Sequence, residues 1–492
     1  MKKTEILTQI TEAETASLHI SDEKYRLFFH LMPPVGWLND PNGLCVYRDT
    51  FHVFFQYSPE APDGSGRKVW GHYTSADLVN WRYQGTPLVT DTVWDRDGAY
   101  SGCAFTDDGN LEVFYTGNVK ETGDFDYIFN GRQANIIYTV SKDGTVFDEK
   151  LPLLTNRDYP SSYTCHVRDP KVWKQGGQYY MVLGGRKKDE HGAVMVYTSP
   201  DKKDWSLLKE MTSVEPFGYM WECPDLFEMN SRWFLLCCPQ GLPSEAERYQ
   251  NLYQSGYFQC EGFTLEDTDY KCHPGAFWEL DHGFDFYAPQ TFTDSGGRRI
   301  LIGWAGIPEE ERYGNAPTIN EGWQHALTVP RELTFDGNML RQYPVQELDS
   351  LHGEGLSLEE NVIRAAAFDM QLTLAGNRQS VRLDDDLVLD CTDGLVTLTF
   401  LNDTGAGRTC RTARLPKGQR GIKELRILKD TSMLEFYINH GELVFTTRYY
   451  PKDVTQTPFA LTGTVCRLHL WKIQKMNVHM GNLLTEYDMQ KL

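Results

Sequence analysis

The chain carries the segment Gly36-Trp-Leu-Asn-Asp-Pro-Asn-Gly43, which is followed closely by the aromatic run Phe51-His-Val-Phe-Phe-Gln-Tyr57. Pro41 fixes its own φ angle and biases Asp40 towards extended backbone, and the Asn-Gly pair after it has strong turn chemistry. The segment therefore predicts that Asp40 lies on a rigid loop that leads into a β-strand. In isolation an ordinary polar turn explains the segment equally well, so the interpretation depends on whether similar segments recur.

A strong aromatic or aliphatic run does recur five times, starting at residues 51, 111, 178, 232 and 298. Each run follows a polar loop, a short apolar strand and a turn, and strand-like segments follow several of them, so each repeat has room for four strands. After the first run, the others are Leu111-Glu-Val-Phe-Tyr-Thr-Gly117, Gln178-Tyr-Tyr-Met-Val-Leu-Gly184, Arg232-Trp-Phe-Leu-Leu-Cys-Cys238 and Arg298-Arg-Ile-Leu-Ile-Gly-Trp304.

Five four-stranded units at a regular spacing are typical of a five-bladed β-propeller, whose blades surround a central channel. A β-sandwich over the same residues does not explain the repeat. The aromatic runs are then core strands and not a cofactor site. We therefore predict an all-β fold, with a five-bladed β-propeller followed by a C-terminal β-sandwich.

The end of the repeat gives the domain boundaries. Residues 4–17 have the composition of a short helix, and alternating apolar runs continue after the propeller. The C-terminal part offers neither a carboxylate pair nor a basic cluster, so we expect it to give structural support or a homodimer contact. The predicted units are an N-terminal segment 1–27, a catalytic propeller 28–340, a linker 341–355 and a sandwich domain 356–492.

Charge and composition restrict the class of partner. The 492-residue chain has a net charge of −20, from 68 acidic and 48 basic residues, which argues against nucleic acid or an anionic membrane. A small neutral molecule is easier to reconcile with this charge, and an aromatic content of 13% suits packed β-structure and stacking on sugars. No apolar run is long enough for a signal-peptide core or a bilayer span.

The cysteines indicate a reducing environment. There are eleven, scattered along the chain and including the adjacent pair Cys237-Cys238 in an apolar run. An odd, scattered set is typical of reduced thiols in a cytoplasmic protein and not of a disulfide framework. No Cys-x-x-Cys or His-x-x-x-His pair is present, so we assign no metal site.

The loops that open the repeats concentrate polar chemistry. In a propeller, equivalent positions of every blade lie at the same end of the channel, so we expect three acids and an arginine to converge there. The loops hold Asn39-Asp40-Pro41, Tyr100-Ser101-Gly102, Arg168-Asp169-Pro170, Glu222-Cys223-Pro224 and Asp285-Phe-Tyr-Ala-Pro-Gln290.

Two facing carboxylates suit hydrolysis of a glycosidic bond, where one attacks the anomeric carbon and the other protonates the leaving oxygen. A third acid can bind sugar hydroxyls, and an adjacent arginine lowers the pKa of a carboxylate while crowding of acids raises it. Any single one of these acids, taken alone, is better explained as an acceptor that joins two blades. The set as a whole favours catalysis.

These motifs resemble the series found in glycoside hydrolase family 32. The resemblance extends from about residue 28 to about residue 450 and implies the same propeller and sandwich, without a metal or organic cofactor. It also implies a retaining reaction on terminal non-reducing β-D-fructofuranosides. The matching motifs are Trp37-Leu-Asn-Asp-Pro-Asn-Gly43, Arg168-Asp-Pro170, Trp221-Glu-Cys-Pro-Asp225, Phe284-Asp-Phe-Tyr-Ala-Pro-Gln290 and His325-Ala-Leu-Thr-Val-Pro-Arg-Glu-Leu333.

The resemblance also implies residue roles. Asp40 is then the nucleophile, Glu222 the acid and base, and Asp169 the stabiliser of the transition state. A retaining pair of carboxyl groups is expected about 5–5.5 Å apart. Trp70 is alternatively a core residue, as are Trp37 and Trp304. The implied substrate-binding residues are Asn39, Gln56, Trp70, Ser101, Arg168 and Tyr100, the last standing where the family commonly has phenylalanine.

Several substrates fit the same catalytic residues. We predict intracellular hydrolysis of sucrose or sucrose 6-phosphate, with Arg186, Lys187 and Lys188 as candidate phosphate contacts, although such a charge run is usually a solvated surface. The alternatives are a hydrolase of short fructans, a transfructosylase, and a sugar-binding propeller without catalysis. An inverting glycosidase requires carboxyl groups about 6.5–9.5 Å apart and is disfavoured by the motif series.

Overall fold

The computed structural model describes residues 2–17, 23–266, 269–358 and 360–480. Residues 18–22 of the predicted N-terminal segment and 481–492 of the predicted sandwich domain lie outside the described residues. None of the helices in the described part has the length and apolar content that crossing a bilayer requires.

The predicted N-terminal helix is present as α1, Lys3–Ser17. It packs on the first sheet of the fold, because Ile6 and Ile10 are buried in the same hydrophobic cluster as that sheet. Glu14 accepts a hydrogen bond of 3.1 Å from the hydroxyl of Tyr57, a residue of that sheet. The helix therefore covers the outside of the β-domain and takes no part in the candidate site.

Five antiparallel sheets contain most of the strands that the structure describes before residue 345. The first holds β1 Gly36–Tyr47, β2 Thr50–Ser58, β3 Val69–Ser75 and β4 Trp81–Tyr83, and the second holds β5 Ala99–Asp107, β6 Asn110–Lys120, β7 Arg132–Ser141 and β8 Leu151–Leu154. The third holds β9 Tyr163–Gln175, β10 Gln178–Lys187, β11 Gly192–Ser199 and β12 Ser206–Ser213.

The remaining strands of this region complete the fourth and fifth sheets. The fourth holds β13 Met220–Met229, β14 Arg232–Gln240 and β15 Gly256–Cys260, with β16 Tyr270–Cys272 joining the third sheet and β17 Phe277–Glu279 closing the fourth. The fifth holds β18 Tyr287–Thr293, β19 Arg299–Ala305, β21 Ala326–Leu327, β22 Arg331–Phe335 and β23 Leu340–Pro344, while β20 Trp323–Gln324 pairs with β1.

The predicted aromatic runs are confirmed as strands β2, β6, β10, β14 and β19, the second strand of each sheet. Their side chains form the clusters that pack one sheet against the next. The parallel pairing of β20 with β1, at Gly36 and Trp323, joins a late part of the chain to the first sheet. The region is a β-propeller built from small antiparallel blades.

The C-terminal part is a sandwich-like β-structure. Two long strands, β26 and β33, pair with each other along most of their length, with a break in the register between Ala375 and Ser380. One half of β26 pairs with β30 and the other half with β27. The strands are β24 His352–Gly355, β25 Val362–Ile363, β26 Phe368–Leu383, β27 Leu387–Thr392, β28 Leu395–Phe400, β29 Cys410–Arg414, β30 Glu424–Lys429, β31 Met433–Ile438, β32 Leu443–Arg448 and β33 Thr457–Ile473. The last described strand, β34 Val478–His479, returns to the propeller and pairs with β4 of the first sheet.

The predicted linker at 341–355 has regular structure along most of its length. Strand β23 pairs with β22 of the fifth sheet and extends to Pro344, so the predicted boundary at residue 340 cuts a propeller strand. A 3₁₀-helix, Gln346–Leu351, and β24 follow directly. Short helical segments elsewhere are α2 Ala316–Ile319 and 3₁₀ turns at Pro274–Ala276 and Asp403–Gly405.

Buried ion pairs hold the two parts together. Arg331 of β22 is fully buried and contacts Asp281 at 3.1 Å and Glu435 of β31 at 2.7 Å. Arg408 donates to both carboxylate oxygens of Asp285, at 2.6 and 2.7 Å. Removing one partner of such a pair leaves an uncompensated buried charge. Asp285, the acid in the loop motif of the fifth repeat, is therefore ion-paired with an arginine of the sandwich domain.

Candidate active site

The same β-bulge occurs in the opening strand of each of the five sheets described before residue 345. In each, the opening strand advances three residues while its partner advances two, which leaves one extra residue and bends the strand. The bulges lie between Leu38 and Pro41, Ala99 and Gly102, Arg168 and Lys171, Glu222 and Asp225, and Tyr287 and Gln290.

The predicted loop motifs lie at these bulges, which set the backbone conformation of the motif residues. Within them Asp169, Cys223 and Ala288 have φ angles of 64°, 47° and 47°. Each of the three precedes a proline, which lacks the N–H that a continuous ladder needs. Left-handed backbone at non-glycine residues is costly and clusters at functional sites. The bulges turn successive polar side chains towards one end of the propeller.

Eight of the nine predicted site residues line one cavity of about 710 Å³. It also contains aromatic side chains, among them Trp37, Tyr219 and Tyr287. The structure thus brings Asp40 together with Asp169 and Glu222, which both follow it by more than a hundred residues in the sequence. The eight are Asn39, Asp40, Gln56, Tyr100, Ser101, Arg168, Asp169 and Glu222.

Trp70 is the exception, and its predicted contact with substrate is corrected. The side chain is fully buried and packs against the rings of Phe54 and Tyr115, each at a centroid distance of 5.8 Å. Its indole N–H donates a hydrogen bond of 3.0 Å to the carbonyl oxygen of Tyr100. Burial of a large aromatic side chain is favourable when its polar N–H group has a hydrogen-bond acceptor, as the indole N–H of Trp70 has here. Trp70 therefore supports the cavity wall from behind.

The Asp40 carboxylate is held by the side chains of its neighbours. Ser101 of the second sheet donates its hydroxyl to Oδ2, and Asn39 donates its amide to Oδ1 at 3.3 Å. The same amide donates to Gln56, while the indole N–H of Trp37 donates to Asn39 Oδ1 at 3.0 Å. This network fixes the orientation of Asp40 before a ligand arrives.

Burial makes Asp40 a weaker acid than usual. Its pKa is raised to about 6, mainly because the side chain is removed from water; the hydrogen bond from Ser101 opposes the rise and the charge of Glu222 adds to it. Asp40 is therefore ionised at neutral pH and becomes protonated in mildly acidic solution.

Glu222 is surrounded by hydrogen-bond donors. Arg168 donates to Oε1 from Nε at 2.9 Å and from Nη2 at 2.6 Å. Gln240 and Tyr287 donate to Oε2 at 2.7 and 2.6 Å. Both carboxylate oxygens are thus engaged, which fixes the side chain in the cavity. Gln240 was not predicted, because it lies two residues beyond the aromatic run that ends at Cys238 and no motif in the sequence marks it.

Asp169 is buried against Cys223, the residue that follows Glu222. Its Oδ2 accepts a hydrogen bond of 2.9 Å from the Cys223 N–H. The Cys223 sulfur is 3.7 Å from Asp169 Oδ2 and 3.9 Å from Asp40 Oδ2, so both carboxylates contact the same thiol. The pKa of Asp169 is raised to about 7, chiefly by burial; the positive charge of Arg168 opposes this rise and Glu222 adds to it.

Replacing Ser101 with Ala is expected to move the acidic limb of the pH profile of kcat/KM upward by about one pH unit, since a hydrogen bond to a charged group is worth roughly that much. A nucleophilic Asp40 acts only when ionised, so activity is lost as pH falls through its pKa near 6, and removing the hydroxyl raises that pKa further. Steady-state kinetics from pH 4 to pH 8 measure the shift. Tyr100→Phe is the matched control and leaves the limb in place; an unmoved limb in Ser101→Ala contradicts the assignment.

A separate acidic group, Asp349, His352 and Asp369, could geometrically hold a metal ion but lies outside the cavity. Arg426 donates to Asp349 at 2.7 Å and to Asp369 at 2.6 Å. A guanidinium therefore already compensates both carboxylates, and the group fits an ion-pair network better than a cation site.

Two family models match the chain. The model described as "Glycosyl hydrolases family 32 N-terminal domain" matches residues 30–344, and the one described as "Glycosyl hydrolases family 32 C terminal" matches residues 392–472. The first ends at the last residue of β23 and so covers the whole propeller region.

Relatives of known description align along most of the chain. A sucrose-6-phosphate hydrolase of Bacillus subtilis is 37% identical over 458 residues, which cover 89% of this chain and 92% of the relative. The solved structure of a sucrose-6-phosphate hydrolase from Lactobacillus gasseri superposes with a TM-score of 0.85 at 28% identity, covering 97% of this chain and 98% of the other. A mutant of a β-fructofuranosidase from Bombyx mori, solved in complex with sucrose, gives a TM-score of 0.83 at 27% identity, with coverages of 97% and 100%.

Proposed function

The chain belongs to glycoside hydrolase family 32, and from this premise we propose that it releases fructose from sucrose and from sucrose 6-phosphate. The observation that carries the proposal is the meeting of Asp40, Asp169 and Glu222 in one cavity, with Asn39 and Gln56 beside Asp40. A catalytically silent sugar-binding propeller would be expected to lack one of the three acids.

Asp40 is the proposed nucleophile. Its carboxylate attacks the anomeric carbon of the fructosyl unit, and the bond from that carbon to the leaving oxygen breaks as an ester to Asp40 forms. The hydrogen bonds from Ser101 and Asn39 orient the attacking oxygen. Water then cleaves the ester, so fructose leaves with its anomeric configuration retained.

Glu222 is the proposed general acid and base. It delivers a proton to the leaving oxygen in the first step and takes a proton from the attacking water in the second. The donors from Arg168, Gln240 and Tyr287 position its carboxyl group for both steps. We infer the carboxyl separation of about 5–5.5 Å that a retaining reaction requires.

Asp169 is the proposed stabiliser of the transition state. Sharing the Cys223 thiol with Asp40, it lies where hydroxyls of the fructosyl ring would be bound. A hydrogen bond that strengthens as positive charge develops on the ring accelerates the reaction without tightening substrate binding. Arg168 limits the electrostatic repulsion among the three acids.

The finer architecture and the location also belong to the proposal. The bulge repeated in five described sheets supports five blades, and the pairing of β23 supports a boundary after Pro344 in place of the one near residue 340.

Nine of the eleven cysteines are buried free thiols, which supports a cytoplasmic location. A homodimer through the C-terminal domain stays a prediction.

Fructose release from sucrose, sucrose 6-phosphate and 1-kestose, assayed in parallel with the purified chain, tests the proposed function. We expect the two disaccharides to be hydrolysed with kcat/KM above about 10⁴ M⁻¹ s⁻¹, the lower end of the usual range for enzymes, and 1-kestose more slowly. Faster hydrolysis of 1-kestose favours a fructan exo-hydrolase instead. Binding of sucrose without release of fructose supports the silent propeller and contradicts the proposal.

A further inference from the structure

Basic side chains gather on one wall of the active-site cavity. Lys120 ends strand β6, Arg132 begins β7, and Arg186 lies near the end of β10 in the next sheet; all three line the cavity. We call these three residues the basic wall. They concentrate positive charge at the cavity of a chain whose net charge is −20.

The basic wall contains a pair of like charges in direct register. Lys120 and Arg132 are cross-strand partners in the antiparallel pairing of β6 with β7. Like charges at directly opposed positions destabilise a sheet unless another group compensates them. Among the described residues, no carboxylate lies within ion-pair distance of either side chain. A bound anion would provide that compensation.

The two arginines retain unused donors. Arg132 donates to the side chain of Asn118 at 3.2 Å, and Arg186 donates to Glu190 at 2.6 Å while its guanidinium lies 4.5 Å from the ring centre of Tyr219. In both arginines the Nε atom is buried and has no hydrogen-bond partner within the described part of the chain. The terminal nitrogens Arg132 Nη2 and Arg186 Nη1 donate no hydrogen bond within the described residues, so each guanidinium is held in place with N–H groups left for a ligand.

The basic wall adjoins the acid side of the reacting centre. Arg168, which binds Glu222, also donates from Nη1 to His166 Nδ1 at 2.7 Å. The pKa of His166 is lowered to about 2, first by burial and then by the charges of Arg168, Arg132 and Arg186. Hydrogen bonds thus lead from the proposed acid, Glu222, through Arg168 to the neutral His166, which lines the same cavity as Arg132 and Arg186. The carboxylate of Asp40 is held by other partners, Ser101 and Asn39, which take no part in these contacts.

We propose that the basic wall is a subsite for the 6-phosphate of the leaving glucose unit, with Arg132 and Arg186 as the direct contacts and Lys120 as the outer charge. The inference rests on the proposed function, because the leaving group must lie on the side of the acid that protonates its oxygen. Guanidinium groups suit a phosphate monoester through charge-assisted, bidentate hydrogen bonds. Uncharged sucrose would occupy the same position without this contact.

The subsite corrects part of the sequence-based expectation. Of the three cations Arg186, Lys187 and Lys188, only Arg186 lines the cavity. Lys187 forms an ion pair with Glu210 at 3.1 Å. Lys188 is an exposed side chain outside the cavity lining. Lys188 therefore serves as a matched control, two residues from Arg186 in sequence and equal in charge.

The test compares kcat/KM for sucrose 6-phosphate and for sucrose in the parent and in Arg132→Gln, Arg186→Gln and Lys188→Gln. We expect the parent to prefer the phosphorylated sugar, and each arginine variant to reduce the ratio of the two constants by about 10- to 100-fold, the loss typical of a charge-assisted hydrogen bond. Lys188→Gln keeps the parental ratio. Arg186→Lys, which preserves the charge but not the planar fork, keeps part of the preference.

Inhibition by the leaving sugar gives a second readout. Glucose 6-phosphate is expected to inhibit sucrose hydrolysis competitively in the parent, with an inhibition constant that rises in the two arginine variants, whereas inhibition by glucose stays the same. If the parent hydrolyses sucrose but has no preference for the phosphate, or if both arginine variants keep it, the subsite is wrong while the proposed function stands. If the parent releases fructose from neither sugar, the proposed function itself is wrong.

Discussion

Asp40→Asn is expected to lower kcat for fructose release from sucrose by at least about 10⁴-fold, the scale of loss seen when a catalytic nucleophile is removed. The amide is nearly the same size as the carboxylate and can keep hydrogen bonds with Ser101 and Asn39, so the shape of the cavity is preserved. What is lost is the charge that attacks the anomeric carbon. Initial rates under saturating substrate measure the effect.

Controls separate loss of chemistry from loss of structure. The thermal unfolding midpoint of Asp40→Asn is expected to equal or exceed that of the parent, because burial makes the Asp40 carboxylate costly to keep ionised. Sucrose should still bind, as measured by calorimetry at concentrations that saturate the parent. A variant that keeps more than a tenth of the parental kcat contradicts the role of Asp40.

Local chemistry was enough to predict the blades and the convergence of the site. The aromatic runs are long, apolar and regularly spaced, and each became the second strand of a sheet. Because their opening loops occupy equivalent positions, the propeller alone places Asp40, Asp169 and Glu222 at one end of the channel. The prediction that the three acids meet therefore needed no knowledge of contacts between the loops.

Two other features depend on long-range packing and could not be predicted from the sequence: the environment of Trp70 and the sheet to which β23 belongs. Whether Trp70 faces a ligand or the core depends on the neighbours of its ring, and the acceptor that completes its burial is a backbone carbonyl. Strand β23 reads as a linker because it is short and ends in proline, yet it pairs along its whole length with β22.

The basic wall shows the same limit. Arg132 and Lys120 lie twelve residues apart, on either side of the loop that joins β6 to β7, and nothing local indicates that they face the cavity. Only the register of β6 with β7 and the approach of β10 bring them beside Arg186. The charge pattern of the sequence pointed to Arg186 together with the adjacent Lys187 and Lys188, since a run of three cations is the more visible signal.

Glu222→Gln is expected to reduce kcat for sucrose by about 10²- to 10⁴-fold, the usual contribution of general acid–base catalysis. The loss should depend on the leaving group, because a good leaving group departs without protonation. An activated aryl β-D-fructofuranoside should therefore fructosylate the variant at a rate close to the parental one. Release of fructose from the ester remains slow, since no base activates the water.

This difference predicts that the fructosyl ester accumulates in Glu222→Gln. Mass spectrometry of the quenched variant, after brief reaction with the aryl fructoside, should find the added fructosyl group on the peptide that contains Asp40. The variant also lacks the negative charge that raises the pKa of Asp40, so the acidic limb of the fructosylation step should move to lower pH. Equal losses on sucrose and the aryl fructoside, with no ester on Asp40, would assign Glu222 a structural role and reopen the choice of the acid among the three carboxylates.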